Sequence, residues 1–248
     1  VMGQAAETMD ERWNWTYPIV FSPRPPHALY VGSQHVWRSL DEGESWRRIS
    51  PDLTRAAPET LGETGGPIRL DQDGPEVYAT LYAIVPLPLD AKNVWTGSDD
   101  GKIYVTQNDG RDWLDATPPD LPTNSRVSAI NASPHDKGGA YISAIRYEMG
   151  DRRAYLWRTK NYGKGWKRLD AGLKDGDLIR SVRVDTQTPN IIYIGTEHGV
   201  RVSFDAGATW RSLSLNLPDT PVTGLEVRDD DLVIATHGRS FYVLEGLA

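Results

Sequence analysis

Two acidic stretches at short turns offer carboxylates that hydrolytic chemistry could use. Asp99 and Asp100 are adjacent and followed by Gly101, and Glu197 precedes His198 and Gly199. Glycosidic hydrolysis needs two carboxyl groups on opposite sides of the scissile bond, one of them kept protonated. Asp99, Asp100 and Glu197 are the residues that would serve. The plainer reading uses the same letters: Asp-Asp-Gly and Glu-His-Gly are what a tight hairpin selects for its turn. It is the favoured one, so no catalytic residue is assigned. Three histidines (His35, His198 and His237) stand at similar short turns. Converging, they would make a metal site; solvated turn histidines are the simpler reading, and neither metal nor cofactor is expected. A polar, charged stretch over 146–154 carries Arg146, Tyr147, Arg152 and Arg153. Arg and Tyr are favoured anchors of protein interfaces, so these four head the candidate binding residues, with His198, His237 and Arg239. In His237-Gly238-Arg239 the Gly suits a turn, and Arg239 is expected to make a charge-assisted bond to a carboxylate or carbonyl.

What must position these residues is a repeat. The pattern Ser/Thr-x-Asp/Asn-x-Gly-x-x-Trp occurs four times, with Asp41, Gly43 and Trp46; Asn108, Gly110 and Trp113; Asn161, Gly163 and Trp166; and Asp205, Gly207 and Trp210. Four copies at one internal spacing define a repeat architecture. The Asp or Asn side chain can bond backbone N–H groups and hold a turn. The Gly supplies a positive φ. The Ser/Thr hydroxyl can bond across the turn, and the Trp opens the next strand with a large apolar face.

Around each copy the text reads as short strands. The first pass is residues 13–22, then 28–32, 35–38 and 46–49. Comparable passes follow, giving units at roughly 13–50, 77–116, 126–169, 178–213 and 221–246, the last with three strands and no copy of the motif. Residues 1–12 read as a linker or edge segment. The tryptophan spacing falls from 67 to 53 to 44 residues, the shortest being about one four-stranded blade. The excess lies in the loops 50–76 and 146–154. The fold predicted is an all-β propeller over 13–248. It is either a closed five-blade ring or, as preferred, a partial ring completed by other polypeptide.

Composition narrows the function. The 248 residues carry a net charge of −7, so a nucleic-acid footprint is not expected. Lacking cysteine, the chain has neither disulfide nor thiol chemistry. No apolar run of 18 residues suggests a membrane span, and no leader segment is read at the start. Asn14-Trp15-Thr16 and Asn131-Ala132-Ser133 match a glycosylation pattern, in strand-like text that favours coincidence.

The repeated turn resembles the Asp box of the BNR-repeat superfamily, which includes sialidases, sortilin-type receptors and xyloglucan-active glucanases. Longer stretches resemble one group, the sortilin-like proteins also named BNR-repeat glycosyl hydrolases. These are residues 12–15 with Pro18-Ile19, 46–54, 65–68, 97–101 and 235–241. The resemblance spans essentially the whole chain. It implies an exported, longer protein with two propellers, hence an extracytoplasmic location, and places chemistry on the face opposite the Asp boxes. That face would be built from Gln34, His35, Asp99, Asp100, Arg146, Tyr147, Glu197, His198, His237 and Arg239. A sialidase would need an Arg-Ile-Pro segment, and Pro18-Ile19-Val20 lacks the Arg. The expected function is a non-catalytic scaffold binding a protein partner, through loops 50–76 and 146–154. The alternative is a glycan-active propeller using the opposite-face carboxylates.

Overall fold

The computed structural model describes residues 5–62, 68 and 77–247. The first sheet takes β1 (Ile19–Phe21), β2 (Leu29–Gly32), β3 (Val36–Ser39) and β4 (Arg47–Arg48) in that order. The second takes β5 (Leu81–Pro86), β6 (Val94–Ser98), β7 (Ile103–Thr106) and β8 (Leu114–Asp115). The third is β9 (Arg126–Ala132), β10 (Ala140–Arg146), β11 (Asp151–Thr159) and β12 (Lys167–Arg168). The fourth is β13 (Ile179–Val184), β14 (Ile192–Thr196), β15 (Gly199–Ser203) and β16 (Arg211–Ser212). A fifth has three strands, β17 (Val222–Arg228), β18 (Asp231–Thr236) and β19 (Phe241–Leu244). Each sheet is an antiparallel meander, as short strands joined by tight turns dictate.

The chain falls into two compact units. One runs to Val127 and takes in Arg146–Gly150; the other holds Ser128–Ile145 and the chain from Asp151. In the first, Tyr30 and Val36 pack with Leu81, Ile84 and Val94 between the first two sheets. In the second, one core joins Leu156 and Leu169 to Ile179, Val182 and Ile194, and another joins Val200 and Val202 to Leu225 and Ile234. A register shift between Ile179 and Ser181 resets the alternation of β13, so that Ile179 and Val182 reach the same core.

The four repeated turns share one geometry. The Ser39 hydroxyl donates to Asp41 Oδ1 (2.7 Å) and accepts the Gly43 N–H (2.8 Å), while Asp41 Oδ1 accepts the Ser45 N–H (2.9 Å). The glycines lie at φ of 98°, 82°, 79° and 85°. The residue before each glycine is left-handed too, at 57–65° for Glu42, Asp109, Tyr162 and Ala206. Two successive positive φ angles make the mirror-image turn that matches strand twist. The tryptophans precede the last strand of their sheets rather than opening it. Trp113 Nε1 donates to Ile49 O (2.9 Å) and Trp210 Nε1 to Leu169 O (2.7 Å), each tying its turn to the preceding sheet.

Three segments depart from the sequence reading. The aromatic run 13–22 forms a strand only at its end. Asn14 Oδ1 accepts the Thr16 N–H (3.1 Å) and Asn14 O accepts the Tyr17 N–H (3.2 Å), so a side-chain-held turn wins over strand propensity. Of residues 1–12, read as a linker or edge segment, the described part 5–12 is packed, which speaks against the linker alternative alone: Ala6 is fully buried in a 3₁₀ turn, and the Glu7 N–H donates to Leu61 O (3.2 Å). The long polar loop at 146–154 contracts to the 3₁₀ turn Tyr147–Met149 with Gly150, since β11 starts at Asp151. Of loop 50–76, residues 63–67 and 69–76 lie outside the described residues, including Gly65, Gly66 and Pro67.

Candidate functional site

Within the first unit, one edge gathers the β6–β7 hairpin, the start of β5, the first residue of β9 and the turn after β10. It is the edge opposite the repeated turns, because those follow β3 and β7. Arg126 sits at its centre. Its guanidinium pairs with Glu148, donates to Tyr147 Oη (3.5 Å), and lies 5.0 Å from the Tyr82 ring centre and 5.8 Å from that of Tyr147. Burial pulls the Arg126 pKa down, but Glu148, Tyr147, Tyr82 and Asp99 outweigh it and raise it, so the cation is secure. Tyr147 is 42% exposed. Arg146 Nε donates to Thr123 O (3.1 Å), which fixes the root of the turn. The result is a rigid, partly exposed patch of aromatic and charged groups.

The candidate carboxylates are placed differently. Asp99 is 2% exposed; Oδ1 accepts the Thr80 N–H (2.9 Å) and Oδ2 the Thr80 hydroxyl (3.1 Å). Asp100 is 1% exposed; Oδ2 accepts the N–H groups of Arg55 (2.9 Å) and Ala56 (3.0 Å), and Oδ1 the Ser98 hydroxyl (2.6 Å). Burial raises the Asp100 pKa against those hydrogen bonds. Burial above all, with Asp99, Asp100 and Glu148 adding to it, also raises that of Tyr78. These two aspartates are pins joining loops to strands. In the second unit Glu197 is paired with Arg180.

The remaining candidates are distributed. His35 Nδ1 is 3.1 Å from Glu11 Oε1 in the first unit. In the second, His198 Nδ1 is 2.9 Å from Asp219 Oδ1. His237 is exposed, its N–H donating to Pro221 O (2.9 Å). Arg239 is held only through its backbone N–H, which donates to Thr236 Oγ1 (3.1 Å); its side chain is exposed and does not make the expected charge-assisted bond to a described residue. Arg153 forms a two-pronged pair with Asp151 (3.0 and 2.8 Å) and lies 5.5 Å from the Tyr155 ring centre, and Arg152 is exposed. Among the described residues no group of three or more His, Cys, Asp or Glu is gathered to hold a metal. Asn14 is buried with Nδ2 donating to Val77 O (3.0 Å), and Asn131 Oδ1 accepts the Val184 N–H (2.9 Å), so both match only the letters of the glycosylation pattern.

Arg126, Tyr82 and Glu148 were not singled out from sequence. Each is an ordinary strand or turn residue until the topology brings it to the same edge as Tyr147.

No protein-family model matches the chain, and no curated protein matches it. Solved structures do. A GH74 xyloglucanase from Xanthomonas campestris superposes with a TM-score of 0.65 at 16% identity, covering 98% of this chain and 37% of its own. An ancestral GH74 enzyme gives 0.64 at 16%, covering 92% and 28%. A Bacteroides thetaiotaomicron domain, described as the extracellular part of a hybrid two-component system, gives 0.57 at 16%, covering 88% and 25%. The chain therefore spans well under half the length of these structures. The fold is an all-β propeller, with five antiparallel sheets among the described residues, four of which carry the repeated turn. Among the described residues no helix is long and apolar enough to cross a membrane.

Proposed function

We propose that this chain is a non-catalytic propeller module that binds a protein partner in an extracytoplasmic assembly, of the sortilin-like kind that its Asp-box turns resemble. The contact surface is the edge of the first unit around Tyr147, Arg146 and the Arg126–Glu148 pair; Arg152 and Arg153 of the second unit are proposed as separate anchors. One observation carries the reading: Asp99 and Asp100, two of the three carboxylates that the sequence offers for hydrolysis, are nearly sealed and spent on backbone and hydroxyl donors. A general acid and a nucleophile must reach substrate. Exposed Tyr and Arg on a braced turn are instead what interface anchors look like.

The second reading, a glycan-active propeller, draws on the xyloglucanase among the structural relatives and on the Tyr82–Arg126–Tyr147 stack. One comparison separates the two. Purified protein incubated with xyloglucan and related β-glucans is expected to release no reducing ends. Release that persists through purification and is lost in Glu197→Gln would overturn the proposal. A partner retained by the wild type and lost with Tyr147→Ala, at unchanged thermal stability, is the positive result.

A further inference from the structure

We infer that the seam between the first two sheets binds an acidic peptide segment. It rests on reading the chain as a binding module, and it concerns a different surface from the Tyr147 edge. A hollow of about 550 Å³ opens there, lined by Arg38, Arg47, Arg48 and Arg111 with the single carboxylate of Asp109. Such a volume lies in the ordinary range for a ligand site, about 300–1,000 Å³.

Local structure dictates the clustering. Arg38 of β3 faces Arg47 of β4 directly in register, so these two share one face of the sheet, while Arg48 pairs with Trp37 and alternates to the other. Arg111 comes from the repeated turn of the second sheet. That turn is fastened to the first sheet by the Trp113 indole bond to Ile49 O (2.9 Å) and by close packing of Gly110 on Ile49. Arg38 pairs with Asp109; burial lowers its pKa, but Asp109 and Tyr30 raise it further. Arg47, Arg48 and Arg111 are exposed, and none has an ion pair or side-chain hydrogen bond to a described residue.

Arg38, Arg47 and Arg111 thus gather at a hollow whose one carboxylate is Asp109, in a chain whose net charge is −7. Like charges held around a hollow repel until an anion enters between them. Guanidinium favours carboxylate through paired, parallel hydrogen bonds. No aromatic ring lines the hollow, so it lacks a stacking platform for a sugar. Asp109 in the wall disfavours a densely charged anion such as inorganic phosphate and admits spaced carboxylates. Glutamates one or two residues apart on an extended peptide meet that requirement.

The test is fluorescence anisotropy of a labelled Glu-Glu-Gly-Glu-Glu peptide titrated with the whole chain, at low salt and at about 150 mM, where surface charge is partly screened. Saturable binding is expected, weakened by salt and absent for the Gln-for-Glu peptide. Arg47→Gln and Arg111→Gln are each expected to weaken it about five- to tenfold, and the exposed Arg211→Gln to leave it unchanged. No saturable binding overturns the inference. So does equal loss in all three variants, or competition by oligogalacturonate or inorganic phosphate at the concentration where unlabelled peptide competes. Both Gln variants alter exposed residues, and their urea midpoints check that the fold is kept. The outcomes stay separable: hydrolysis, or an unaffected Tyr147→Ala, would sink the module reading without changing this titration. A failed titration would leave the Tyr147 result standing.

Discussion

Asp41 and Asp205 show how one residue type sets both a turn and an acid response. Each is held down to about 2 from an ordinary 3.8. For Asp41 the largest cause is the Ser45 hydroxyl, then the Ser45 N–H and the Ser39 hydroxyl. For Asp205 it is the Thr209 hydroxyl, then the Thr209 N–H and the Ser203 hydroxyl. Depressed carboxylates bind protons more weakly when folded than when unfolded. Their stabilisation is whole above the ordinary value and is lost as pH falls toward 2. Asn108 and Asn161 fill the same position in the other two turns, so an amide is compatible with the geometry; Asn108 Oδ1 accepts the Asp112 N–H at 2.9 Å. The Asp41→Asn/Asp205→Asn double variant should therefore keep the fold and lose two titrations. Its urea midpoint is expected to fall less than that of the wild type between about pH 4 and pH 2. Parallel curves would refute the assignment.

At the level of the element, the repeated turn was legible because its hydrogen bonds are local. Ser39, Asp41 and Gly43 lie within five residues, and side-chain chemistry alone predicts their bonds. What it does not predict is the neighbour. A Cβ on Gly43 would meet nothing nearer than the Trp46 ring, 3.7 Å away, whereas one on Gly110 would sit 2.8 Å from Ile49 O. Gly43→Ala should cost only the left-handed backbone, about 1 kcal/mol. Gly110→Ala should cost roughly 2–4 kcal/mol, since the displaced atom is backbone that also accepts the Trp113 indole bond. Denaturant titration of the two variants tests this, and equal losses would mean the turns are not docked on the sheet before them. The strand at 13–22 was misread for the same reason in reverse. Its aromatic letters favour β structure, but the buried Asn14 carbonyl and amide hold a turn whose second partner, Val77, lies far along the chain.

Across the whole molecule, several of the residues that carried the family resemblance are long-range pins of the first unit. Arg12 Nε donates to Ala79 O (2.9 Å), its Nη2 donates to Asp52 Oδ2 (2.6 Å) and Thr54 Oγ1 (3.1 Å), and its N–H donates to Gln34 Oε1 (2.8 Å). With Asp99 on Thr80 and Asp100 on Arg55 and Ala56, these bonds fasten residues 5–17 and 52–56 to the strands of the first unit. Their letters were visible in sequence, but their role was not. A buried pin and an active-site carboxylate are written alike, and only the partner across 19–67 residues tells them apart. The arginine hollow was hidden for a related reason: Arg47 and Arg48 come from one sheet and Arg111 from the next. If Arg12 is such a pin, Arg12→Met should keep its stem's packing and strand the backbone and carboxylate acceptors it serves. Removing one partner of a buried pair costs about 3–5 kcal/mol. Asp52 is 37% exposed and can turn to water, so the expected loss falls below that range, about 2–3 kcal/mol by urea unfolding. Arg152→Met, exposed on β11, should change stability by no more than about 0.5 kcal/mol. A neutral Arg12→Met would make the N-terminal segment an ornament rather than part of the first unit's frame.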